Sequence, residues 1–125
     1  MFGFISRWWA RRRSSSALFE REVVVVDIND RVTASFPNGD SQSITWSGLK
    51  KVEIWTNDSG PWGADVWWVL TDSEGYCSYP QGATGEQELI PKLQELPGFD
   101  GEAFIRAMGS TSVAKFECWV RRDAF

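Results

Sequence analysis

The chain has 125 residues, of which 42% are hydrophobic and 24% are charged. This balance is typical of one folded domain and excludes collagen-like, low-complexity and wholly disordered chains. Eight residues are Trp and none is His, so the chain lacks the commonest general base and the commonest metal ligand of proteins.

Charge divides the chain into two parts of opposite sign. Residues 1–13 contain four Arg and no acidic residue and carry +4, whereas residues 14–125 contain nine basic and 17 acidic residues and carry −8. An acidic domain repels the phosphates of nucleic acids and attracts basic partners. We therefore expect a basic protein partner and no nucleic acid. The motifs provide no catalytic residues, no metal ligands and no cofactor site.

Residues 1–16 form a basic and aromatic N-terminal arm that ends in three serines. One hypothesis places residues 1–13 on an anionic membrane through Trp8, Trp9, Arg11, Arg12 and Arg13. In the others, the aromatic side chains pack on the domain or on a partner, or the segment is a disordered start. The chain shows no secretory signal and no stretch of the ~20 apolar residues that cross a membrane. We expect a cytoplasmic protein that the arm can hold at the inner membrane.

Residues 17–121 are predicted to form a single globular domain, followed by a tail at 122–125. Apolar residues alternate with a period of two from Phe19 to Tyr79, which predicts strands. The first strand has β-branched residues on both faces, so we expect both faces to be buried. Asn29-Asp30 and the segment 37–40 predict tight turns. The six predicted strands are Glu22–Ile28, Arg31–Phe36, Gln42–Trp46, Lys51–Asn57, Asp65–Thr71 and Tyr76–Tyr79.

The period then changes to that of helices. A first helix is predicted from about Glu86–Glu88 to Leu96, before Pro97-Gly98. A second is capped by Asp100 and ended by Gly109, and Phe104, Ile105 and Met108 are its predicted buried face. A last strand, Ala114–Arg121, alternates with Phe116, Cys118 and Val120 on one side and Lys115, Glu117 and Trp119 on the other. The predicted fold class is α+β: a bent antiparallel sheet of about six or seven strands with two short helices before the last strand.

Cys77 and Cys118 are the only cysteines. Two cysteines do not make a disulfide framework, and the spacing matches no metal site. Each lies in a predicted strand, so both are expected to be buried free thiols. A disulfide between them stays open as an alternative if their strands pair.

The segment 57–65 is the most distinctive loop, because it gathers Asp58, Trp62 and Asp65 between two aromatic strands. These residues can contact a protein partner, or they can cap a turn and cover the core edge. Trp55, Trp67 and Trp119 fall on strand faces that also carry charges. They form either an aromatic binding patch or a surface that the two helices bury.

Residues 22–119 contain the motifs Trp46…Leu49…Val52-Glu53-Ile54…Thr56, Gly60-Pro61-Trp62, Asp65-Val66-Trp67-Trp68-Val69-Leu70, Leu96-Pro97-Gly98-Phe99-Asp100 and Ala107-Met108. Taken together, these motifs resemble a group of small bacterial proteins of unassigned activity. The resemblance implies no catalytic residues. More loosely, strands followed by a helix resemble bacterial pleckstrin-homology-like domains, from which the closing strand departs. In its small size, acidity and lack of His, the chain also resembles toxin-immunity proteins.

We therefore expect a non-catalytic protein-binding domain, most concretely an immunity-type inhibitor of a basic bacterial toxin. Its predicted contacts are Trp55, Asp58, Trp62, Asp65 and Trp67. The alternative is a peripheral membrane module anchored by the N-terminal arm. An enzyme that uses only carboxylates is the least favoured class.

Overall fold

The computed structural model describes residues 22–57, 65–110 and 112–122, and the side chain of Asp65 lies outside this description. Within these ranges the fold is α+β, and every predicted boundary falls within two residues of the observed one. The elements are β1 (Val24–Ile28), β2 (Arg31–Ser35), β3 (Ser41–Thr45), β4 (Leu49–Asn57), β5 (Asp65–Asp72), β6 (Tyr76–Pro80), α1 (Glu86–Gln94), α2 (Gly101–Met108) and β7 (Ala114–Val120).

The strands form two antiparallel sheets rather than the single bent sheet that was predicted. One sheet has the order β1-β2-β3 and the other the order β6-β5-β4-β7. The division falls at the turn 46–48, where the amide of Gly48 donates to Thr45 Oγ1 at 3.0 Å. Arg121, which directly follows β7, holds the turn 46–48 in place: its Nε donates to the carbonyl of Leu49 at 2.7 Å. The chain therefore leaves the first sheet and starts the second within three residues.

Strand β1 is an edge strand, and only one of its faces is buried. Val23 and Val25 are 0% and 4% exposed, whereas Val24, Val26 and Ile28 are 39%, 40% and 60% exposed. The prediction of burial on both faces was wrong, because residue composition alone does not distinguish a central strand from an edge strand. Thr84 bonds to the free edge of β1: its carbonyl accepts from the amide of Val25 at 2.8 Å.

Short sequence motifs correctly predicted the turn at Asn29-Asp30 and the N-cap of the second helix. Asn29 and Asp30 have φ of 54° and 65°, as a two-residue hairpin turn of the type I′ class requires. Helix α2 is capped by Asp100, whose side chain accepts a hydrogen bond from the amide of Ala103 at 3.0 Å. These features depend on neighbours in the sequence, so the sequence predicts them well.

Helix α2 packs on one face of the four-stranded sheet, which we call the helix face. The rings of Phe104 and Trp68 lie 5.7 Å apart between their centroids. The deepest side chains of α2 are Ala103 and Ala107, at 1% and 0% exposure. Ile105 is 69% exposed, so its predicted place on the buried face was wrong. Small residues at the contact let the helix approach the sheet closely.

A β-bulge at Cys118 in β7 reverses the predicted sides of the two residues that follow it, Trp119 and Val120. Trp119 pairs with Val52 and Glu117 pairs with Glu53, so Cys118 is the extra residue between these two pairs. Directly paired residues point to the same side of a sheet. Trp119 therefore lies on the helix face, where its indole N–H donates to the carbonyl of Pro97 at 2.7 Å. The prediction that it shares a face with Lys115 and Glu117 was wrong.

Candidate functional site

The structure brings together two of the five predicted contact residues and buries them. Trp55 and Trp67 pair directly across β4 and β5, and they are 6% and 0% exposed. They lie on the face of the four-stranded sheet opposite the helix face, which we call the outer face. The helices therefore do not bury them, contrary to the second of the two predictions. Neither ring offers an open contact surface, and the role of these two residues in partner binding stays a prediction.

Charged residues surround Trp55 on the outer face. Its indole N–H donates to Glu53 Oε1 at 3.2 Å, and Lys115 Nζ lies 4.8 Å from the centroid of its ring. Lys51 Nζ lies 3.7 Å from Glu53 Oε2. The outer face thus has two buried indole rings at its centre and charges of both signs around Trp55.

The other predicted site residues lie outside the described part of the chain. They are Asp58 and Trp62 in the loop, the side chain of Asp65, and Trp8, Trp9, Arg11, Arg12 and Arg13 of the arm. The membrane hypothesis for residues 1–13 therefore stays a prediction. Among the residues that the structure does describe, no helix is long and apolar enough to cross a membrane.

A groove that the sequence analysis missed lies between β1, the end of β3 and α1. It has a volume of about 480 Å³ and is lined by Asp27, Asn29, Asp30, Trp46, Lys92 and Glu95. The indole N–H of Trp46 donates to Asp27 Oδ1 at 2.9 Å. Lys92 of α1 forms an ion pair with the other carboxylate oxygen of Asp27, and its Nζ lies 5.9 Å from the centroid of the Trp46 ring.

Two hydrogen-bond partners stabilise the charge of Asp27, which lies on the same face of β1 as the buried Val25. Burial by itself raises the pKa of Asp27, but the hydrogen bonds from Lys92 and Trp46, together with the charge of Lys92, outweigh it and hold the pKa below its ordinary value. Asp27 is therefore an ionised, paired group with 13% of its side chain exposed. The signal in the sequence was a lone carboxylate at the end of a run of four valines.

Two further carboxylates of the groove face solvent. Asp30 and Glu95 are exposed; Asp30 Oδ2 accepts a hydrogen bond from Ser47 Oγ at 2.7 Å. A half-buried indole beside exposed carboxylates suits a guanidinium or ammonium group, because aromatic faces and carboxylates both attract cations. Since Lys92 already pairs with Asp27, an incoming cation would meet Asp30 and Glu95.

A second cavity, of about 570 Å³, lies beside the end of β7. Pro97, Asp100, Trp119, Arg121 and Arg122 are among the residues that line it. The guanidinium of Arg121 is already engaged there: it bonds to the carbonyl of Leu49, and its carbon lies 5.7 Å from the Trp119 ring centroid. This arginine therefore stabilises the corner between the two sheets. No group of three or more Cys, Asp or Glu in the described ranges is placed to hold a metal ion.

We compared the chain with protein-family models, curated proteins and solved structures, and found no match in any of the three.

Proposed function

We propose that this chain is a non-catalytic domain that binds a basic protein partner, in the way that an immunity-type inhibitor covers a basic toxin domain. The observation that carries the proposal is the groove beside Trp46, where an indole lies next to two exposed carboxylates, Asp30 and Glu95. A basic side chain of the partner would enter this groove.

The charge of the whole domain supports the same kind of partner. Residues 14–125 carry −8, so their field attracts a basic protein over distances comparable to the Debye length, ~10 Å at 0.1 M salt. Long-range attraction of this kind raises the association rate, and a local aromatic contact slows dissociation. Binding should therefore be fast and should weaken as salt is added.

The test is an affinity capture from native cell extract with the full chain at low and high salt. We expect one basic protein at a fixed stoichiometry, bound less tightly at high salt. The double variant Asp30→Asn/Glu95→Gln should weaken its binding at least tenfold, which corresponds to ~1.4 kcal/mol.

The matched control is Glu74→Gln/Glu102→Gln, which removes the same charge from exposed residues outside the groove. If both double variants lose affinity equally, the charge matters but the groove does not. If no partner is retained, or the partner is acidic, the proposed function is wrong.

A further inference from the structure

The groove beside Trp46 already holds a cation, and that cation belongs to the chain itself. Nζ of Lys92 forms an ion pair with Oδ2 of Asp27 and lies 5.9 Å from the centroid of the Trp46 ring. The other carboxylate oxygen of Asp27 accepts from the indole N–H of Trp46 at 2.9 Å. The partly buried carboxylate and the indole therefore form one subsite for a cation, and the side chain of Lys92 occupies it.

Lys92 can leave this subsite without any movement of the backbone. Its side chain is 57% exposed, and the stem of a lysine is long and flexible. Glu88, which is exposed, lies four residues earlier in α1. Residues four apart are neighbours on the surface of a helix, and a Glu that precedes a Lys is the favourable order. Lys92 therefore has two carboxylates to pair with, Asp27 across the groove and Glu88 along the helix.

A guanidinium group suits the subsite better than the ammonium group of Lys92. It is planar, presents its donors in a fixed fork, stacks on aromatic rings and is more weakly hydrated than an ammonium group. Each oxygen of an ionised carboxylate can accept more than one hydrogen bond, so Asp27 can accept two from a guanidinium and keep its bond to Trp46. The groove is lined by three carboxylates and one ammonium group, which gives a net charge of −2. An incoming guanidinium is therefore attracted even while Lys92 is in place.

We propose that the groove binds an arginine side chain of the partner, and that Lys92 is a built-in competitor which this arginine displaces from Asp27. The inference rests on the proposed function, because it names the group of the basic partner that enters the groove. In the free protein Lys92 keeps the charge of Asp27 paired, since an unpaired buried charge is costly. After the exchange Asp27 pairs with the arginine and Lys92 pairs with Glu88. A lysine of the partner would only replace one ammonium group by another, so the competitor also favours arginine over lysine.

The first test uses the full chain and three small probes, the N-acetyl methylamides of arginine, lysine and citrulline. Citrulline has the shape of arginine without its charge. Binding is followed in a ¹⁵N-enriched sample by the indole N–H signal of Trp46, which is assigned by its loss in Trp46→Phe. We expect the arginine probe to shift this signal to saturation with a dissociation constant on the order of 1–10 mM, as for other ligands of this size. The lysine probe should bind at least ~3-fold more weakly, and the citrulline probe should give no saturable shift.

Two substitutions of Lys92 should move the affinity for the arginine probe in opposite directions. Lys92→Gln removes the competitor, so the probe should bind ~3–10-fold more tightly. Lys92→Arg keeps the charge but places a better-fitting competitor in the subsite, so the probe should bind at least ~3-fold more weakly. The matched control is Lys50→Gln, which removes the same charge as Lys92→Gln from an exposed residue outside the groove. It should change the affinity by less than ~2-fold, and dispersed amide signals will show that each variant is folded.

Three results would overturn the inference. Equal gains in Lys92→Gln and Lys50→Gln would mean that net charge alone attracts the probe. Unchanged or tighter binding in Lys92→Arg would mean that the side chain at position 92 does not compete for the subsite. Equal binding of the arginine and lysine probes would mean that the groove does not distinguish a guanidinium from an ammonium group.

The same variants separate this inference from the proposed function. If a basic protein is captured and binds the parent chain, Lys92→Gln and Lys92→Arg with equal affinity, the proposed function holds and the exchange at Asp27 is wrong. If the probes and variants behave as expected but no basic protein is captured, the groove binds arginine by displacing Lys92, and it is the proposed function that is wrong.

Discussion

The phenol of Tyr79 is enclosed in the core. The side chain is 0% exposed, and its hydroxyl has no hydrogen-bond partner among the described residues. Burial raises its pKa well above the ordinary value, and electrostatic interactions with Cys77 and Glu86 raise it further. This hydroxyl loses its bonds to water on folding without gaining a described bond in return, so it opposes folding.

We predict that Tyr79→Phe leaves the free energy of unfolding unchanged or raises it by up to ~1 kcal/mol, because the substitution removes only the unpaired hydroxyl. Urea denaturation measures the difference. The control Tyr79→Leu, which also removes ring volume, should lower the free energy of unfolding by ~1–3 kcal/mol. A loss above ~1 kcal/mol in Tyr79→Phe would show that the hydroxyl has a partner such as a buried water.

The ion pair of Asp27 and Lys92 should make stability depend on pH. Because the pKa of Asp27 is lowered in the folded state, its contribution is complete above the unfolded pKa of ~3.9 and disappears as the pH falls through the folded pKa. We predict that Asp27→Asn lowers the free energy of unfolding at pH 7 by ~1–2 kcal/mol.

Guanidinium denaturation of the parent chain and of Asp27→Asn at a series of pH values measures the difference in their free energies of unfolding. The difference between them should shrink as the pH falls below the ordinary range of an aspartate. Glu95→Gln, which changes an exposed carboxylate of the same groove, should shift stability by less than ~0.5 kcal/mol at pH 7. A difference for Asp27→Asn that is the same at every pH would mean that packing, and not charge, is responsible.

At the scale of elements, the start of α1 depends on the absence of a side chain at Gly85. This residue has φ of +94°, and a Cβ there would lie 2.1 Å from the carbonyl oxygen of Val25 in β1. Both the backbone conformation and the close approach of a strand therefore require glycine. The contact fixes the helix against the edge of β1, beside the hydrogen bond from the amide of Val25 to the carbonyl of Thr84.

We predict that Gly85→Ala lowers the free energy of unfolding by ~2 kcal/mol or more, from an unfavourable φ and a backbone collision. Thermal unfolding followed by circular dichroism measures the loss. The matched control is Gly101→Ala in α2, where an added Cβ meets no atom within 4 Å; it should be neutral or stabilising by ~0.5 kcal/mol. Equal losses in the two variants would contradict this account of Gly85.

At the scale of the whole molecule, the order of the strands decides whether the two cysteines can form a disulfide. Cys77 is in β6 and Cys118 in β7, at opposite edges of the four-stranded sheet. Neighbouring strands are ~4.8 Å apart, so three steps separate the two cysteines by roughly 14 Å, whereas a disulfide needs Cα atoms within ~7 Å. The two thiols are free, and a disulfide between them within the chain is excluded.

We predict that neither thiol reacts with a chromogenic disulfide reagent in the folded protein and that both react in guanidinium. Burial raises the pKa of Cys77 to about 12 and that of Cys118 to about 11, and only the thiolate attacks the reagent. Ile105→Cys, at a residue that is 69% exposed, is the control and should react at once. Rapid reaction of the folded parent chain would show that an edge strand opens readily.

The sequence by itself determined the α+β class, the nine elements found among the described residues, the turn at Asn29-Asp30 and the cap at Asp100. Each of these depends on residues within a few positions of one another, whose backbone preferences act locally. It also determined the opposite charges of the arm and the domain, since charge requires only composition.

Tertiary structure alone decided how the elements are arranged. The division into two sheets, the exposed face of β1 and the bulge that moves Trp119 to the helix face all follow from pairing between distant strands. The groove beside Trp46 is likewise built from three separate segments, so no local pattern indicates it. The physical reason is that alternation along a strand distinguishes its two faces, but only the packing of the whole chain decides which of them is buried.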